Sequence, residues 1–111
     1  MTEEEQDAQN IMMEMQQTQG QLQQVTAQKE QTESELQGIK KSLDELDEEA
    51  DGEVYKSVGN ILVQKDREDL VEEMEEKKET LELSIESLSK KEERLQEKMQ
   101  ETQQKFTELQ G

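Results

Sequence analysis

Val54-Tyr55-Lys56-Ser57-Val58-Gly59-Asn60-Ile61-Leu62-Val63 lies at the middle of a 111-residue chain and breaks its pattern. On either side, apolar residues recur every three or four positions; here they alternate around a Gly-Asn dipeptide. Three-four spacing is the mark of a helix and alternation that of a strand. Gly-Asn between two such runs reads as a two-residue hairpin turn. The expected pairs are Val58 with Ile61, Ser57 with Leu62 and Lys56 with Val63. One face then carries Val54, Val58, Ile61 and Val63, the other Tyr55, Ser57 and Leu62. Two strands alone are marginal in water, and an apolar face with two open edges invites aggregation. The economical solution is that hairpins of several chains join into a shared sheet or barrel, so an oligomer is expected.

The rest of the chain cannot build a globular core. Hydrophobic residues make up 28% and aromatics 2%, against 39% charged, a range shared by disordered chains and long coiled coils. Periodicity decides between them, and the absence of Pro permits long unbroken helices. With no Cys and no His, thiol nucleophiles, disulfides, His–Cys metal sites and imidazole catalysis are ruled out. The net charge is −17, which repels nucleic acid and anionic lipid. It suits a very soluble protein, one living in high salt, or one that docks on a basic surface. The start, Met1-Thr2-Glu3-Glu4-Glu5, is acidic where a signal peptide would be basic, and no apolar run approaches a membrane span. A cytoplasmic location is the expectation.

Before the hairpin, Ala8, Met15, Leu22, Lys29, Leu36, Leu43 and Ala50 form one seam set; Ile11, Thr18, Val25, Thr32, Ile39 and Leu46 form the other. Ten of these thirteen are apolar, which is a coiled-coil heptad held in one register. After the hairpin, Val71, Lys78, Ile85, Glu92, Met99 and Phe106 alternate with Met74, Leu81, Leu88, Leu95, Thr102 and Leu109. Glu73 with Lys77, Glu86 with Lys90 and Glu101 with Lys105 are spaced to pair on the exposed side of that helix. Asp51-Gly52 is a stop signal, and Asp66 reads as an N-cap. Gly20 and Gly38 are off-seam glycines that soften the first helix locally. The expectation is a helix over about 4–50, a hairpin over about 53–65 and a helix over about 66–110, in a single domain spanning 1–111. Each helix would run roughly 65 Å.

The helices should fold back as an antiparallel pair, Leu46 with Val71, Leu36 with Leu81, Leu22 with Leu95 and Ile11 with Phe106. In that register Lys29 and Glu92 fall one turn apart across the seam, within reach of an ion pair that would fix alignment at some cost in stability. Both termini come together at the far tip. Met12, Met13, Met15, Met99, Phe106 and Leu109 gather there, where Ala8, Thr18 and Thr102 weaken the seam. Methionine is adaptable and recurs on surfaces that bind many apolar partners; an ordinary frayed end is the simpler account.

No residue pattern points to catalysis. The many carboxylates occupy exposed heptad positions, with no pocket to separate two pKa values. Asp47, Glu49, Asp51 and Gly52 match the start of a calcium loop, but the twelfth position, which must be a bidentate Glu, is Val58. There is no Gly-rich phosphate loop. Neither an enzyme nor a cofactor or metal is expected.

Long helix, hairpin and long helix, with Tyr55-Lys56-Ser57-Val58-Gly59-Asn60-Ile61-Leu62-Val63 at the centre, resembles the archaeal-type β-class subunits of prefoldin. The likeness rests on Val54-Tyr55-Lys56, Val58-Gly59 and Ile61-Leu62-Val63. It extends to Gln28-Lys29 in the Gln-rich first helix, and to Glu79-Thr80-Leu81-Glu82-Leu83 and Lys91-Glu92-Glu93-Arg94 in the second. It covers about residues 10–109, and one hairpin looks like the β class, since the α class has two. The resemblance implies a jellyfish-shaped hexamer of two α-class and four β-class subunits, with hairpins closing a double β-barrel and coiled coils hanging from it. It implies an ATP-independent chaperone, a holdase that captures unfolded proteins at coiled-coil tips and hands them to a group II chaperonin. Val54, Tyr55, Val58, Gly59, Ile61, Leu62 and Val63 become assembly residues; Met12, Met13, Met15, Met99 and Phe106 become client-contact candidates. The acidity departs from the family pattern and hints at a salt-rich cytoplasm. The competing expectation is a structural coiled-coil spacer or adaptor docking on one defined partner, a dimer without a barrel.

Overall fold

The computed structural model describes residues 1–48 and 52–110. Its elements run α1 (Glu3–Glu48), β1 (Val54–Val58), β2 (Ile61–Lys65) and α2 (Arg67–Gln110). This is the mainly α architecture, with one central hairpin, that the periodicity requires. The seam site Ala50, the stop residue Asp51 and Glu49 of the calcium-like run lie outside the described residues.

Both helices begin on side-chain caps. The Asp66 carboxylate accepts the Glu68 backbone N–H at 2.9 Å, as its sequence position promised. The Thr2 hydroxyl accepts the Glu5 N–H at 3.2 Å, and Glu3, Glu4 and Glu5 add negative charge to the first turn. These groups satisfy donors the helix itself cannot, and complement its dipole. The Thr2 cap starts α1 one residue earlier than hydrophobic periodicity suggests.

The chain forms two compact units, one of Gln31–Ile85 and one of Met1–Glu30 with Glu86–Gly111. In the first, β1 and β2 pair antiparallel in the expected register, Val58 opposite Ile61 through to Val54 opposite Lys65. Gly59 has φ of 60° and no other residue described has positive φ, so the turn carries glycine at its first central position, the type II′ pattern. Leu43, Leu46 and Val71 line a common cleft of about 460 Å³. Leu70, off the assigned seam, is buried. It shares a second cleft with Ser42, Leu46, Val54, Tyr55 and Met74, so the base of the hairpin covers a position that a two-helix pattern leaves open.

In the second unit, antiparallel packing shows in which residues meet. Ile11 lines a groove with Leu109, Met15 with Met99, and Thr26 and Lys29 contact Glu92. Every described seam site of α1 is buried or half-buried, and so is every seam site of α2 except Leu109. Glu92 accepts the Thr26 hydroxyl at 3.0 Å and pairs with the Lys29 ammonium at 3.4 Å. That polar layer is the cross-seam pair expected of the register.

The seam around Thr18 and Thr102 differs from the expectation of a weak end. These are the most buried residues of the unit, at 1% and 2% exposure. Threonine is short, and its methyl group packs while its hydroxyl can turn back onto its own helix. Thr102 does this, donating to the Lys98 carbonyl at 2.7 Å. The Thr18 hydroxyl is buried without a partner.

Candidate functional site

Two surfaces expose apolar side chains that the chain itself does not cover. The first lies in the unit of Met1–Glu30 with Glu86–Gly111. Met15, Gln16 and Gln19 lie three, four and seven residues after Met12, which places all four along one stripe of α1. With Met99 and Phe106 of α2 they line a shallow groove of about 210 Å³. Met15, Met99 and Phe106 are half-buried, whereas Met12 and Met13 are exposed. Four of the five candidate contact residues are therefore brought together; Met13 is exposed but does not line the groove. A second groove of about 400 Å³ is lined by Ile11 and Leu109 together with Asp7, Asn10, Lys105 and Glu108. Ile11 and Leu109 are seam positions near the chain ends, and that placement is the signal that marks them. Unbranched thioethers beside one phenyl ring form a surface with many rotamers and no fixed polar geometry, suited to apolar segments of varied shape.

The second surface is the hairpin. Its apolar residues do not lie on one face. Val54, Lys56 and Val63, towards the helix-proximal end, are half-buried. Val58 and Ile61 at the turn are exposed, and so are Tyr55 and Leu62 on the opposite face. Sequence alternation assigned the apolar role to the Val54, Val58, Ile61 and Val63 face; the structure half-buries Val54 and Val63 of that face and leaves apolar groups exposed on both faces.

Two polar contacts hold this arrangement. The Lys56 ammonium bonds the Glu73 carboxylate of α2, which ties the hairpin to the helix and takes Glu73 away from the expected pairing with Lys77. Hydrogen bonding to Lys56, against a smaller opposing effect of desolvation, keeps the Glu73 carboxyl below its ordinary pKa, and the charges of Lys56, Lys65 and Lys77 act in the same direction. The Tyr55 hydroxyl donates to the Glu53 carboxylate at 2.7 Å, and loss of that bond on ionisation pushes the phenol above its ordinary value. The expected Glu86–Lys90 pair is present at 3.5 Å.

Among the described residues no group of acidic side chains is gathered as a metal ion would require, and no helix is long and apolar enough to cross a membrane. A model of the prefoldin subunit family matches residues 9–111. The chain belongs to the prefoldin subunit family. Prefoldins are chaperones, not a family of enzymes, and this prefoldin subunit has the single hairpin of the β class. It is similar to the crystal structure of the prefoldin beta subunit from Thermococcus strain KS-1, with 35% identity and a TM-score of 0.84 over 92% of this chain and 90% of that one. No curated protein matches this prefoldin subunit.

Proposed function

We propose that this prefoldin subunit is an ATP-independent holdase of the cytoplasm that captures unfolded proteins at its coiled-coil ends and passes them to a group II chaperonin. The observation that carries the reading is the groove of Met12, Met15, Met99 and Phe106, an apolar surface in a chain with net charge −17. Prefoldin-family membership supports a partnered assembly, here two α-class and four β-class subunits folded as single-domain chains. The exposed Tyr55, Val58, Ile61 and Leu62 are what a shared β-barrel would cover, with Val54, Gly59 and Val63 completing the hairpin. Such an assembly presents several weak grooves to one unfolded chain, and their contributions combine as avidity. Met13 adds apolar surface beside the groove. No cofactor takes part.

The test is suppression of aggregation. The chain, mixed with an α-class subunit, should reach a native mass near six chains and keep a chemically unfolded enzyme from aggregating without nucleotide. Removing the first ~15 residues, roughly four turns of helix, should abolish holding and leave the number of chains in the complex unchanged. A stable dimer that never enlarges and does not hold would instead identify a coiled-coil spacer or adaptor with one defined partner.

A further inference from the structure

Sulfur in this chain is found only in methionine: six residues, with no cysteine. Five of the six lie in the unit of Met1–Glu30 with Glu86–Gly111, and only Met74 lies in the other. Their exposure is graded. Met1 is 82% exposed but does not line the groove; Met12 is 48% and Met13 66% exposed, while Met15, Met99 and Met74 are half-buried. Met12 lines the groove with Met15, Met99 and Phe106. Thioether oxidation follows access of the oxidant to sulfur and turns a flexible apolar side chain into a polar one.

We infer that Met12 in the capture groove, with Met13 beside it, forms an oxidation-sensitive modification site that switches this surface from apolar to polar. The inference rests on the holdase reading above and adds a mode of regulation to it. A hydroperoxide delivers one oxygen atom to the thioether sulfur. The sulfur loses two electrons and becomes the sulfoxide, the O–O bond breaks, and the peroxide leaves as water or an alcohol. No other residue of the chain has to take part. The sulfoxide oxygen is a strong acceptor that must shed water before an apolar side chain can pack against it, so capture weakens. Methionine sulfoxide reductases reverse the change with a dithiol as reductant, which makes the switch reversible. The hairpin has no sulfur, so assembly through it is left untouched.

The experiment treats the full chain, assembled with an α-class subunit, with hydrogen peroxide and maps sulfoxides by peptide mass spectrometry. Met12 and Met13 should oxidise ahead of Met74. Holding of a chemically unfolded enzyme, measured against the same preparation untreated, should fall about tenfold, with native mass unchanged and recovery on adding sulfoxide reductase. A Met12→Leu, Met13→Leu variant, compared with its own untreated control, should lose most of that response, and Met74→Leu should keep it. Full oxidation of Met12 and Met13 without loss of holding overturns the inference, as does an undiminished loss in the double-leucine variant. Both outcomes leave the holdase reading intact. An untreated complex that does not hold at all would bring down that reading and this inference with it.

Discussion

Thr18 places a hydroxyl in the seam where water cannot reach it and no acceptor or donor meets it. A buried polar group left without a partner costs roughly 1–3 kcal/mol. Thr18→Val keeps the branched shape and removes the orphan oxygen, so it should stabilise the chain by about 1 kcal/mol and slow amide exchange around residue 18. A lower thermal midpoint would mean that the hydroxyl has a partner in solution. Tyr55 supports a second test, because it is the only tyrosine and there is no tryptophan. Its phenol is raised from 10.0 by the Glu53 carboxylate. A raised acid stabilises the folded state below its ordinary value, and that contribution is lost as pH climbs through the folded value. Glu53→Gln should therefore lower the midpoint of tyrosinate absorbance towards 10.0. An unchanged midpoint would show that the contact does not form in solution.

At the scale of elements, the two helices and the hairpin register could be read from sequence because each is encoded many times over. A seven-residue repeat sustained from Ala8 to Leu46 leaves no competing period, and a one-residue slip of one strand would move each of its side chains to the other face. Contacts encoded once were less legible. Lys56 lies 17 positions from Glu73, so helical spacing gave that carboxylate to Lys77. Leu70 is buried by the hairpin base, which heptad reasoning does not include. Thr18 and Thr102 look weak by composition, yet they are short enough to be closed over. The groove was legible in its methionines, because seam positions near both chain ends must meet in an antiparallel pair; Met13 falls outside it because it sits one residue round the helix from Met12. Gly20 and Gly38 give a prediction for α1. Nothing lies within 4 Å of a side chain added at either position, so no packing demands glycine there. Each change to Ala should stabilise by about 0.5–1 kcal/mol, read as a higher thermal midpoint. A loss at either site would point to a contact formed only in the assembled state.

At the scale of the whole molecule, apolar exposure on both faces of the hairpin means that covering one face is not enough. Edge-to-edge pairing with other hairpins would satisfy backbone groups, while Tyr55 and Leu62 need a second layer against them. Val58→Asp with Ile61→Asp, both exposed in the single chain, should leave helix content unchanged and abolish the higher-mass assembly, since an unpaired charge in an apolar contact costs roughly several kcal/mol. An intact complex would remove the hairpin from the interface.

The layer of Thr26, Lys29 and Glu92 also bears on how a chain chooses its own second helix over a copy of the first. Two α1 helices aligned in parallel would set Lys29 against Lys29, and two α2 helices would set Glu92 against Glu92. Each like pair is unfavourable, whereas the hydrogen-bonded pair within one chain is not. In an assembly with other prefoldin subunits, this layer would favour each helix's own partner over a copy of itself. The two helices mixed as separate peptides should form heterodimers in preference to either homodimer, with a bias that added salt reduces.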